Sequence, residues 1–122
     1  MVLSTKGILP VLWEMFPGHA NLLPCYLDAS RLGNTFVKKP FFGREGASIE
    51  LMREGTLMST AGRYGREGAI YQELKMLPAF DRRYPVIGSW IVNGMAAGIG
   101  IREDDSPITK NTSRFVPHYF TD

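Results

Sequence analysis

A chain of 122 residues is long enough for one domain with a modest core, and 44% hydrophobic with 21% charged residues is an ordinary globular composition. The 14 basic and 12 acidic residues leave a net charge of +2 and are scattered, which excludes the basic stripe of a dedicated nucleic-acid surface. No apolar run nears the roughly 20 residues that span a bilayer, the start MVLSTKGILP is a poor secretion signal, and a lone Cys25 has no internal disulfide partner, so no membrane role and a cytoplasmic location are expected.

Ile8, Leu9, Leu12, Met15 and Phe16 recur at helical spacing, with Pro10 tolerable in a first turn. Pro17 and Gly18 end that helix. Residues 21–32 fit a short helix or irregular structure equally. From Thr35 the pattern turns to strands: 35–39, then 47–53, then a Glu54-Gly55 turn into 56–59. Residues 62–68 are glycine-rich and charged, hence a loop, and AIYQELK is a further strand leading into the loop MLPAFDRRYP. Residues 85–102 form a hairpin, because Asn93-Gly94 accepts the positive φ of a type I′ turn. A two-residue turn there pairs Val92 with Met95, Trp90 with Ala97 and Ile87 with Gly100. It also lines up Ala96, Gly98, Gly100 and Arg102 on one face. Such a row of small residues marks either a tightly packed element or a ligand's approach. No repeat or linker divides the chain, so residues 1–122 are expected to form one domain.

Several segments offer chemistry. Lys38-Lys39 places one ammonium on each face of its strand, and Gly43-Arg44-Glu45-Gly46 follows at a hairpin tip with exposed backbone N–H groups. A strand, a lysine and a glycine-bracketed arginine form either a surface turn with ordinary charges or a cover for phosphates. Gln72 and Glu73 lie between apolar neighbours, as half-buried polar residues or as readers of an adenine edge. The run Arg102-Glu103-Asp104-Asp105 is either a solvated loop or a Mg²⁺ site. His19 and His118 have no Cys or His companions for zinc. Cys25 lacks a neighbouring base that would make it a nucleophile. Ser106, Ser113 and His118 form no recognisable triad.

Five segments then occur in order: KGILPVLWEMFPGHANLLP, VKKPFFGREGASIEL, IYQEL, YPVIGSWIVNGMAAGIGIRED and NTSRFVPH. In this the chain closely resembles the C-terminal part of the glutathionylspermidine synthase family, in its stand-alone synthase-like branch of the ATP-grasp ligases. The resemblance implies an α+β class: a partial ATP-grasp fold, mostly antiparallel sheet, with a glycine-rich hairpin loop and an N-terminal helix. It implies ATP and Mg²⁺ as cofactors, and a carboxylate–amine ligation through an acyl phosphate with release of ADP. The partners it implies are a glutathione-like carboxylate, a polyamine-like amine and the N-terminal part of the same enzyme.

By position, the resemblance makes Lys6 and Lys39 the phosphate-holding lysines, with Gly43 and Gly46 flanking the mobile Arg44. Arg102 faces the transferring phosphoryl group. Gln72, Glu73 and the Leu74 backbone line the adenine. Glu45 stands where characterised bifunctional synthases have a different residue, but Arg44-Glu45-Gly46 is similar to the loop of eukaryotic-type glutathione synthetase, which implies Glu45 as a metal ligand. Arg44 and Arg102 are thus the catalytic candidates. The other acidic metal ligands and most substrate contacts of the family lie upstream of these segments, so the chain is expected to be inactive alone. The alternative is a non-catalytic nucleotide-binding or protein-interaction module. Surface around Trp13, Met15 and Phe16 is expected to be exposed and to favour self-association.

Overall fold

The computed structural model describes residues 2–121. It divides into two compact units, one ending at Lys75 and one starting at Met76. The class is α+β, with one α-helix and otherwise antiparallel sheet.

In the first unit a 3-10 turn (Val2–Ser4) precedes helix α1 (Ile8–Met15). Pro10 sits in the first turn of α1, where an N–H would have no intrahelical acceptor, so its missing donor costs little. Phe16 closes the helix by donating its N–H to Leu12 O at 2.9 Å. Residues 21–32 are mostly turns around a two-residue strand, β1 (Cys25–Tyr26). That strand joins β2 (Phe36–Pro40), β3 (Glu50–Arg53), β4 (Thr56–Ser59) and β5 (Ala69–Glu73) in a sheet ordered β1-β5-β2-β3-β4. Strand β3 begins later than the alternation predicts, because Ser48 has φ 55° and turns its N–H to Ala61 O at 3.3 Å.

Register places Cys25, Gln72, Val37 and Leu51 in one row across the sheet, on one face, and all four are buried. The other face carries Tyr26, Tyr71, Lys38 and Glu50 along the neighbouring row. Ile70, with no exposed surface, and Cys25 are the deepest side chains, so the core of this unit lies beneath β1, β5 and β2.

The second unit is a sheet of β6 (Tyr84–Val92), β7 (Met95–Asp104) and β8 (Arg114–Val116) in that order. Asn93 (φ 50°) and Gly94 (φ 77°) make the expected left-handed turn, and Val92 pairs with Met95. Beyond that the expected register is corrected. A bulge at Trp90/Ile91 pairs Trp90 with Gly98 rather than Ala97, and Ile87 with Ile101 rather than Gly100. One extra residue on β7 slips everything beyond it by one. Alternation therefore holds from Gly98 through Gly100 to Arg102, while Ala96 lies on the far side of the bulge and leaves the row.

Strand β6 is an edge, and from Tyr84 to Val92 it carries no charged side chain. Trp90, Ile91, Val92 and Met95 are 60–69% exposed. An uncharged edge of this kind is a template for pairing with another strand. Met15 and Phe16 are exposed, as expected, but Trp13 is half-buried. Sedimentation velocity of the purified chain should show concentration-dependent association, and Ile91→Lys should shift it toward monomer. A monomer at every concentration would count against this.

Candidate functional site

Strand alternation sends the two tandem lysines to opposite faces, with opposite consequences. Lys38 meets Glu50 across the β2–β3 pair, Nζ to Oε1 at 2.9 Å, and that acceptor holds its pKa above the usual lysine range. Lys39 points to the buried face and donates to Gln72 Oε1 at 2.7 Å. No carboxylate stands at ion-pair distance from it among the described residues. Burial, with a smaller contribution from the Lys6 charge, pushes Lys39 below the ordinary lysine pKa. The lysine pair therefore supplies one neutralised cation and one uncompensated one.

Lys6 lies just before α1, where its N–H donates to Phe41 O at 2.9 Å, and its Nζ donates to Gly43 O. That ties the start of the helix to the loop between β2 and β3. Burial lowers the Lys6 pKa, and the Arg44 charge lowers it further. Lys39 thus feels Lys6, and Lys6 feels Arg44, with no carboxylate paired to any of the three among the described residues. Lys6 and Lys39 are thus partly desolvated cations, while Arg44 is exposed.

The loop that carries Arg44 is tethered at both ends. Gly43 N donates to Pro40 O, Ala47 N to Arg44 O at 2.9 Å, and the Thr60 hydroxyl to Gly46 O. Glu45 (φ 54°) and Gly46 (φ 72°) take the left-handed turn, which lifts Arg44 and Glu45 into solvent. Strands β2 and β3 flank this loop as an antiparallel pair, but the N–H groups of Gly43 and Ala47, expected to be exposed, bond within the loop region.

Gln72 is buried, and its amide oxygen is on Lys39. Glu73 pairs with Lys75 at 2.9 Å and takes a main-chain tie from its N–H to Pro24 O at 2.8 Å. Leu74 follows the end of β5. Cys25 lies opposite Gln72 with 1% exposure, and desolvation pushes its thiol up to about 11. An unfolded cysteine ionises near 9.0, so at pH 8 the folded thiolate fraction is about 100-fold smaller. Iodoacetamide should alkylate Cys25 at least that much more slowly in native protein than in urea. Equal rates would mean an open thiol.

A cavity of about 470 Å³, lined by residues including Trp13, Glu14, Cys25, Tyr26, Asp28 and Arg31, includes neither Lys6 nor Lys39. Trp13 Nε1 donates to the Tyr26 hydroxyl at 3.2 Å beside it.

In the second unit, Arg102 Nη2 donates to Lys110 O and, at 3.4 Å, to Asn111 O. Its guanidinium lies 5.3 Å from the Phe115 ring centre, and Nε is buried without a hydrogen-bond partner among the described residues. The following acids are engaged locally. Asp104 takes the Ser113 hydroxyl, which holds its carboxyl below the usual range, and Asp105 pairs with Arg83 and Arg114. Among the described residues, no three His, Cys, Asp or Glu side chains gather as a metal site.

Residues 1–121 match the family model described as glutathionylspermidine synthase preATP-grasp. The chain belongs to this family. Among relatives of the glutathionylspermidine synthase family, a Haemophilus influenzae protein named as an acid–amine ligase is 43% identical over 98% of this chain and 33% of its own length. The bifunctional glutathionylspermidine synthetase/amidase of Escherichia coli is 33% identical over 93% of this chain and 19% of its own. Trypanothione synthetase of Crithidia fasciculata is 33% identical over 95% and 18%. The chain spans a third or less of these relatives.

Of the residues singled out by sequence, the structure joins Lys6 to Gly43 and Lys39 to Gln72 by hydrogen bonds, with the Lys6 charge acting on Lys39 and the Arg44 charge on Lys6. It shows Glu45 as an exposed carboxylate and leaves Glu73 on Lys75. Two participants were not expected: the Gly43 carbonyl as a lysine acceptor, and Cys25 packed beside Gln72. Neither has a sequence signal, since a backbone oxygen and a cross-strand neighbour are products of pairing.

Proposed function

We propose that this chain supplies phosphate-holding groups of the nucleotide site in an ATP-dependent acid–amine ligase. The observation that carries the reading is the set of Lys6 held on the Gly43 carbonyl, Lys39 held on Gln72 and Arg44 next to Gly43, none of them paired with a carboxylate among the described residues. A triphosphate is the natural counter-charge. Lys39 offers a fixed ammonium from a strand, Lys6 a second from the start of α1, and Arg44 a planar fork from a tethered loop. These groups bind and orient phosphate, and neutralise charge as it moves.

In the whole ligase, a carboxylate oxygen of the acid substrate attacks the γ-phosphorus as the bond to the β-phosphate oxygen breaks, giving an acyl phosphate and ADP. The amine then attacks the acyl carbon and expels phosphate, and its proton passes to solvent, leaving an amide. On the family resemblance, Arg102 is proposed for the developing phosphoryl charge; its Nε has no protein acceptor among the described residues. A glutathione-like acid and a polyamine-like amine fit the names of the relatives. For Mg²⁺, the only ligand proposed in this chain is Glu45, a single exposed carboxylate that belongs to no group of three His, Cys, Asp or Glu side chains among the described residues. One carboxylate is too few to hold the ion, so no step is derived through it.

Calorimetric titration of the 122-residue chain with ATP tests the reading. Saturable binding is expected, with affinity falling as pH rises. Lys6 and Lys39 lose their protons below the usual lysine range, so the decline should begin below the 10.5 of a solvated lysine. A folded sample that binds no ATP would overturn the reading. Binding without ADP release, even when the remainder of a ligase is supplied, would leave a non-catalytic nucleotide module.

A further inference from the structure

Gln72 lies in the interior of the five-stranded sheet, paired with Val37 of β2 on one side and Cys25 of β1 on the other. It is 8% exposed and therefore needs a partner for its amide. That partner is Lys39, diagonal to it on the same buried face, at 2.7 Å. An ammonium only donates, so the contact fixes the amide oxygen toward Lys39. It also occupies one of the three ammonium donors.

The choice of side chain matters. A carboxylate at this distance would neutralise Lys39, as Glu50 does for Lys38 one residue away. An amide gives a directional acceptor and leaves the positive charge intact. We propose that Gln72 is a positioning residue, which aims the Lys39 ammonium with a neutral acceptor and so keeps its charge for a triphosphate. On this assignment Gln72 does not read the nucleobase. The inference rests on the reading that Lys39 holds phosphate.

The test titrates ATP and inorganic triphosphate into wild type, Gln72→Met, Gln72→Glu, Lys39→Met and the Gln72→Met/Lys39→Met double variant, with melting curves for each. Inorganic triphosphate has no base, so a positioning role predicts an equal loss for both ligands, about tenfold in Gln72→Met. Acting through Lys39 also predicts that the double variant binds no worse than Lys39→Met alone, within about twofold. Gln72→Glu keeps an acceptor but adds charge; it should melt no lower than wild type and still bind triphosphate about tenfold more weakly.

A loss confined to ATP would make Gln72 a base reader and overturn the inference. So would losses that add in the double variant, or unchanged binding in Gln72→Met. Should Gln72→Met not fold, wild-type affinity in Gln72→Glu would overturn it equally. If wild type binds but Lys39→Met binds as well, the reading of Lys39 fails first; if wild type binds neither anion, both fall.

Discussion

Lys39→Met is expected to weaken ATP binding by about 10- to 100-fold, while Lys38→Met leaves it within about twofold. The two residues are adjacent and identical in type, so composition and local sequence cannot separate them. The sheet does. Lys38 already spends its charge on Glu50 at 2.9 Å, in a pair whose side chains are one-third or more exposed, and such pairs contribute little. Lys39 faces the buried side and meets a neutral amide, with no carboxylate at ion-pair distance among the described residues. Charging it there costs folding free energy, because burial lowers its pKa. That penalty is fully present below the lowered pKa and fades as pH rises toward 10.5, so the free chain should gain stability over that window. A bound polyanion reverses the balance: it favours the charged form, and binding in the same window should take up protons. Lys39→Met removes both effects. Its melting temperature should stay close to wild type near neutral pH, since a costly charge goes with one hydrogen bond. A large drop in melting temperature, with ATP affinity unchanged, would recast Lys39 as a structural residue.

Much of this arrangement follows from local signals. The Asn93-Gly94 turn is legible because few residue pairs take two positive φ values cheaply, and α1 because its apolar spacing and Pro17-Gly18 terminus agree. The bulge at Trp90/Ile91 was not legible, as Ala97 looks like any small strand residue, and one inserted residue reassigns every pair beyond it. Strand β1 is two residues long, and β8 three, too short for a periodic pattern. Both exist because an edge was there to pair with. At the site, sequence places Lys38 and Lys39 on opposite faces but cannot say which is neutralised. That depends on β3 bringing Glu50 to one and β5 bringing Gln72 to the other.

Arg102 is expected to show the largest effect in a ligase completed with the remainder of the protein, because it has two separable tasks. Through Nη2 it ties the carbonyls of Lys110 and Asn111, and through its plane it stacks on Phe115, so it holds the segment returning from β7 into β8. Its Nε remains buried and without a protein acceptor among the described residues, a costly state unless a ligand satisfies it. Arg102→Ala should cut turnover by about 10²- to 10³-fold, the range for losing one donor aimed at developing charge, with ATP affinity falling only a few-fold. It should also lower the melting temperature by releasing the 110–111 carbonyls. Arg102→Lys separates the tasks. A lysine can reach one carbonyl and restore part of the stability, but it offers neither the planar fork nor an Nε donor at the same place. If Arg102→Lys regains stability but not turnover, the guanidinium acts on the phosphoryl group as proposed. If stability and turnover return together, Arg102 is an anchor for the C-terminal segment, and the charge-stabilising role must be sought elsewhere.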